Sequence, residues 1–277
     1  MDPFCWQIYW VLLSVLSVPA FVFSHGDGDH DHPTMYTIDG VSVNKTELDK
    51  YLDRCMLGVS HKDKPSKEAY LYEQCQPWKD RACCDSDTTE RLHRNPTWYN
   101  FDWNHCKQKM SEECKLWMRQ DLCFYECSPN VGPWLVEHKI TIRDERFMGV
   151  PLCKSECDKW FDACKNDFTC KDDWSKGWNW TMGSNQCPEG SVCETIQTKF
   201  KTADNFCENI WGGSFEVVDD SESCMALWFN NANPNDEVAR KKALELLGVN
   251  GQPPQGQHPV LYLTLSLLLI LTSYLFS

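Results

Sequence analysis

The chain has 277 residues, 40 of them acidic and 27 basic, for a formal charge of −13. This balance excludes nucleic acid and a polybasic membrane contact, because phosphate binding needs a clustered basic face. It fits an acidic protein kept soluble at a cell surface.

In chain order, residues 4–23 are almost wholly apolar, and Val22 and Ser24 suit the −3 and −1 positions of a cut before His25. Residues 1–24 therefore read as a signal peptide. His25 to His32 (HGDGDHDH) opens a flexible His/Asp-rich segment, taken as residues 25–45. Nothing there fixes a coordination geometry, so no metal site is expected. Asn44-Lys-Thr and Asn179-Trp-Thr are glycosylation sequons, whereas proline blocks Asn95-Pro-Thr.

Thr46-Glu-Leu-Asp49 reads as a helix start running towards Cys55. A second helix is expected over Ser111 to Gln120, with Cys114, Trp117 and Met118 on one face. Cys153, Cys157, Trp160, Phe161 and Cys164 recur at i, i+4, i+7, i+8 and i+11, one stripe of a third helix. A fourth should start after Pro234 and end at Gly248, carrying Val238, Leu244 and Leu247. Strand signals are weak and short. The rest reads as loops, with turn signals at Ser128-Pro-Asn and Gly132-Pro. At the far end, apolar Val260 to Ser277 follows a polar spacer, Gly251 to His258, and the small pair Asn250-Gly251. That is the pattern for a glycosylphosphatidylinositol anchor on Asn250, with 251–277 removed. A single-pass helix is the competing reading.

Sixteen of the 17 cysteines lie between Cys55 and Cys224, and the other, Cys5, is in the leader. An even count points to a closed disulfide set and an oxidising compartment. The even spread favours one domain, residues 46–249. Each bridge contributes about 2–4 kcal/mol, mainly by restricting the unfolded chain. No Cys-x2-Cys occurs, so zinc is a poor fit. His105-Cys106 is no catalytic pair if every thiol is bridged, and neither Gly-x-Ser-x-Gly nor His-Glu-x-x-His is present. No enzyme, catalytic residue or cofactor is expected.

Thirteen tryptophans include two dense clusters, Trp98 to Trp103 and Trp174 to Trp180. Aromatic planes with a few convergent polar groups suit a flat heterocycle. Asp121 sits in an apolar, cysteine-rich run, and Arg143 and Arg146, three apart, would share a face on a helical turn. An acid and two guanidiniums can read a pyrimidinone edge. The same groups can equally form an internal salt bridge, and the residues alone leave both open.

FDWNHC (101–106), QDLCFYECSPNVGPW (120–134), RDER (143–146), VPLCK (150–154), TCKDDWSKGWNWT (169–181), MALWFN and NPNDEVAR (233–240) are the runs by which the chain resembles the folate receptors, over roughly residues 50–245. The resemblance implies an α+β, disulfide-rich globular domain, mainly helices with short strands and long loops. It implies eight bridges: Cys55–Cys83, Cys75–Cys123, Cys84–Cys127, Cys106–Cys193, Cys114–Cys164, Cys153–Cys224, Cys157–Cys207 and Cys170–Cys187. It also implies a folate site: Asp121 accepting from the pterin amino group, and Arg143, Arg146 and Ser214 on the opposite edge. Tyr125 and Trp211 would stack on the ring, with Tyr99 and Phe101 along the aminobenzoate. Lys176, Gly177, Trp178, Asn179 and Trp180 would meet the glutamate. Two positions depart from the family pattern, Ile142 for a usual tryptophan and Ser175 for a usual histidine, which leaves the pterin end intact and alters the other. The implied protein is an anchored cell-surface receptor for folic acid and reduced folates, delivering them by endocytosis. The family also holds riboflavin-binding proteins and an egg-surface sperm receptor, Juno. The alternative is therefore an adhesion receptor with a vestigial pocket and a protein partner on another cell.

Overall fold

A computed structural model describes residues 34–38 and 41–249. The expected signal peptide, the His25–His32 run, Asn250 and residues 251–277 lie outside the described residues.

Strand β1 (Met35–Ile38) pairs antiparallel with β2 (Val41–Asn44), and helix α1 (Lys45–Leu52) follows directly. The segment expected to be flexible through residue 45 thus ends in a hairpin. Its reason is distant in sequence: Val43 packs with Leu48, Ala243 and Leu244 in a small second core. The α1 cap is Asn44, whose side chain accepts from the Thr46 and Glu47 N–H groups. It lies two residues before the expected start.

A 3-10 turn (Glu73–Trp78) leads to α2 (Ser86–Arg94), capped by Asp85. Helix α3 (Glu112–Cys127) begins at its Ser111 cap, as expected, but runs seven residues past Gln120. The antiparallel ribbon β3 (Leu135–Ile140) and β4 (Arg143–Phe147) comes next, with a register shift between Glu137 and Ile140. Then follow β5 (Val150–Cys153), α4 (Lys154–Cys164), β6 (Phe168–Thr169), β7 (Glu194–Thr195), α5 (Ile196–Phe200), α6 (Ala203–Asn209), β8 (Phe215–Val218) and α7 (Asn235–Leu246). β5 and β8 pair in parallel across the intervening helices. The fold is helix-rich with short two-stranded sheets, α+β as implied. Among the described residues no helix is long and apolar enough to cross a membrane.

The cysteine stripe of α4 faces the core, where Trp160 meets Phe206 edge-on at 5.1 Å. Truncating a buried ring of this kind costs about 3–5 kcal/mol. The eight bridges join the pairs that the resemblance implies. Three of them end on α3: Cys75–Cys123, Cys84–Cys127 and Cys114–Cys164. They fix both ends of α3 against its neighbours and so fix whatever its inner face presents.

Candidate functional site, a lined cavity on helix α3

Asp121 and Tyr125 are four residues apart on α3 and so share a face. That face opens on a cavity of about 210 Å³. Asp121 is 3% exposed and accepts a hydrogen bond from the Trp211 indole at 2.8 Å. Burial pushes its carboxyl up to about 7, against the opposing pull of that hydrogen bond. Tyr125 accepts from Arg143 at 2.6 Å, and the guanidinium also lies 5.4 Å over its ring. Burial raises the Tyr125 phenol to about 12 despite Arg143.

Arg143 and Arg146 lie on β4, not on a helical turn. Three residues along a strand would put them on opposite faces. Both nonetheless line the cavity, in a ribbon whose register is irregular. Arg146 donates to the carbonyls of Trp211 (2.5 Å) and Gly212 (3.1 Å) and to the Ser214 hydroxyl (3.0 Å). The Nε of each arginine is buried without a hydrogen-bond partner among the described residues. An unmade buried bond of this kind costs about 1–3 kcal/mol.

Trp211 and Ser214 reach the site through the turn at Gly212 (φ 55°) and Gly213 (φ 81°). These angles favour glycine. At Gly212 there is a second reason, because a Cβ would stand 2.5 Å from the Ser175 hydroxyl.

The aromatic wall comes from two loops. Trp98 and Phe101 exchange backbone hydrogen bonds across Tyr99 (φ 51°) and Asn100 (φ 62°), a two-residue turn with the strand-compatible twist. A tyrosine is uncommon at such an angle. The turn is pinned to α3 by the Trp98 indole, which donates to buried Glu126 at 2.7 Å. The other Glu126 oxygen lies 3.4 Å from the buried imidazole of His61. Phe101 then packs on Trp174, Trp178, Trp180 and Trp211 at centroid distances of 5.3 to 6.4 Å.

At the mouth, Ser175 donates to Asp173 from both its amide (2.9 Å) and its hydroxyl (2.6 Å). The Lys176 ammonium is 3.0 Å from the same carboxylate. The Trp178 indole, expected to face the glutamate, donates instead to the Trp174 carbonyl at 2.8 Å. Thirteen of the fifteen expected site residues line the cavity, Ile142, Ser175, Lys176 and Trp180 included. Gly177 and Asn179 do not. Asn179 is exposed, and its side-chain oxygen accepts from the Thr181 amide. The lining also takes Trp98, Trp103 and Trp174, which the sequence marked only as members of the two tryptophan clusters, and Leu122, Ile140 and Phe147, which sequence reasoning missed. Leu122 and Phe147 adjoin chosen residues on α3 and β4, a neighbourhood that could have flagged them. A second hollow of about 460 Å³, lined by Arg91, Asn95 and Tyr99 among others, adjoins this one. No carboxylate lines it.

A model of the folate receptor family matches residues 54–226. The chain is 44% identical to human folate receptor gamma over 211 residues, 74% of this chain and 85% of that protein. It is 42% identical to human folate receptor alpha over 232 residues, 82% of this chain and 87% of that one. The chain belongs to the folate receptor family. A riboflavin-binding protein of Gallus gallus is more distant, 33% identical over 197 residues, 69% of this chain and 76% of its own length. These relatives are binding proteins, and this family member is a binding protein rather than an enzyme.

Proposed function

We propose that this protein is a cell-surface folate receptor. The observation that carries the reading is the buried Asp121 carboxyl facing a cavity walled by Tyr125 and Trp211, with Arg143, Arg146 and Ser214 beside it. The pterin amino edge donates to Asp121, while the Arg143 and Arg146 guanidinium groups and Ser214 meet the opposite, carbonyl edge. Tyr125 and Trp211 hold the ring between them. The cavity is smaller than the ~300–1,000 Å³ of sites that enclose a drug-sized ligand. It takes the bicyclic head, and the aminobenzoyl and glutamate extend towards Phe101, Lys176 and Trp180. Folic acid and reduced folates share this head. The leader, the C-terminal pattern and the sequons at Asn44 and Asn179 support lipid anchoring on the outer face of the cell, glycosylation, and delivery by endocytosis.

The departures at Ile142 and Ser175 keep an adhesion receptor with a weakened pocket as the second reading. One titration separates the two. Folic acid added to the purified protein should quench tryptophan fluorescence through Trp211, and an Asp121→Ala variant should lose the response. No quenching at micromolar folate in the parent protein would leave adhesion as the better account.

A further inference from the structure

Two of the eight bridges meet. The sulfurs of Cys106–Cys193 and Cys170–Cys187 all lie within 4.8 Å of one another, and the Sγ atoms of Cys187 and Cys193 are 4.0 Å apart. The cause is the short pair β6–β7, in which Phe168 faces Thr195 and Thr169 faces Glu194. One step further, the same register sets Cys170 opposite Cys193. Opposite residues of an antiparallel pair have Cα atoms about 4.5–5.5 Å apart, inside the ~4.4–6.8 Å that a disulfide spans. The Cys187 sulfur in turn lies 3.5 Å from the carbonyl oxygen of His105, the residue before Cys106. Each of the four sulfurs thus has a second partner in reach. Access to them is uneven. Cys106 and Cys170 are buried, whereas Cys187 and Cys193 are half-buried. Among the other bridged cysteines only Cys153 and Cys224 are not buried, and the group around them holds Asp220 and no second bridge.

We propose that these four cysteines form a disulfide-exchange site for a low-molecular-weight thiol of the glutathione class. The external thiolate attacks the accessible Cys187 sulfur, forming a mixed disulfide and expelling the Cys170 thiolate. Cys170 attacks Cys193, forming Cys170–Cys193 and expelling the Cys106 thiolate. Cys106 then attacks Cys187 in the mixed disulfide, forming Cys106–Cys187 and releasing the external thiolate. Two bridges stand before and after, so no net oxidation or reduction occurs and the thiol is a catalyst. In the exchanged form the 171–186 segment, which brings Ser175, Lys176 and Trp180 to the cavity, is no longer closed on itself.

The probe is reduced glutathione, added to the full-length protein in detergent micelles. The reaction is stopped with acid, free thiols are alkylated, and the unreduced peptides are mapped by mass spectrometry. Peptides linking Cys170 to Cys193 and Cys106 to Cys187 should appear in step, while the two native linkages fall by the same amount. Cys153–Cys224, likewise half-buried but without a neighbouring bridge, should give glutathione adducts or its own pairing and no new partner. Cys106→Ser combined with Cys193→Ser removes the second bridge, and glutathione should then stop at an adduct on Cys187. If that variant folds poorly, the contrast with Cys153–Cys224 in the parent protein decides. Persistence of Cys106–Cys193 and Cys170–Cys187 alone overturns the proposal. So does the pairing Cys106–Cys170 with Cys187–Cys193, or linkage scrambled equally across the buried bridges.

Discussion

Asp121, buried, and Tyr125, half-buried, stand on a helix tied by three disulfides, with indole and guanidinium partners within 3 Å. Ser175 to Trp180 stand on a loop closed by the single bridge Cys170–Cys187, with the Lys176 side chain 80% and Trp180 47% exposed. The same kinds of group, an acid, cations and aromatic planes, are worth different amounts in the two places. At the floor the low local dielectric strengthens each polar contact and penalises each one left unmade. At the mouth water screens charges, and an ion pair is worth about 0–1 kcal/mol. A contact at the floor is thus rigid and expensive to alter, whereas one at the mouth is adjustable.

The sharpest test of that contrast is the stability of the ligand-free protein. The Asp121 carboxyl titrates near 7 when folded, above its unfolded value of 3.8. The folded state therefore binds the proton more tightly, and the group costs stability as pH rises from about 4 through 7. Asp121→Asn lacks the ionisable group. It should be more stable than the parent at pH 8 by as much as about 4 kcal/mol, with the gap closing below about 1 kcal/mol at pH 4. Urea denaturation at both pH values measures it. A pH-independent difference would show that the carboxylate is not strained by burial.

The same residue carries the largest expected binding effect. Asp121→Ala removes a charge-assisted acceptor at the floor and should weaken folic acid by about 2–3 kcal/mol, read by equilibrium titration. A loss no larger than that of a mouth variant would erase the distinction between the two regions.

Binding should also follow the proton. If the ligand's donors require the carboxylate, affinity falls as pH drops below about 7, by up to tenfold per unit. Asp121→Asn should flatten that slope between pH 5 and 7. A parallel slope in both proteins would move the pH sensitivity to another group.

The smallest expected effect is at the mouth. Ile142→Trp restores a stacking plane and an N–H donor and should improve folic acid binding by about 1 kcal/mol, leaving the pH dependence in place. A gain as large as the Asp121→Ala loss would place the dominant contacts at the mouth.

What could be read from the residues divides along the same line. Asp121 and Tyr125 lie past Gln120, where the expected helix stopped, so their shared face came from the structure. The α4 stripe did show in the sequence, because five apolar positions at helical spacing admit one face. Arg143 and Arg146 did not: their spacing favours a helix turn, and the strand they occupy depends on pairing with Leu135–Ile140. α5 and α6, at five and seven residues, are too short for periodicity to show. The hairpin at Met35–Asn44 needs Ala243 and Leu244 as its partners. Trp211 and Ser214 precede β8, whose partner β5 is distant in sequence, and their expected places came from family resemblance. Asp173 had no motif to mark it, and its contacts are set by where Ser175 and Lys176 fold back.

The Cys170–Cys187 bridge spans 17 residues of sequence and has both ends inside one loop. The Lys171–Gln186 segment is thus a macrocycle, docked on the body but stapled to itself. Such a unit can be exchanged between relatives as a cassette, carrying its own closure with it, while helix α3 stays untouched.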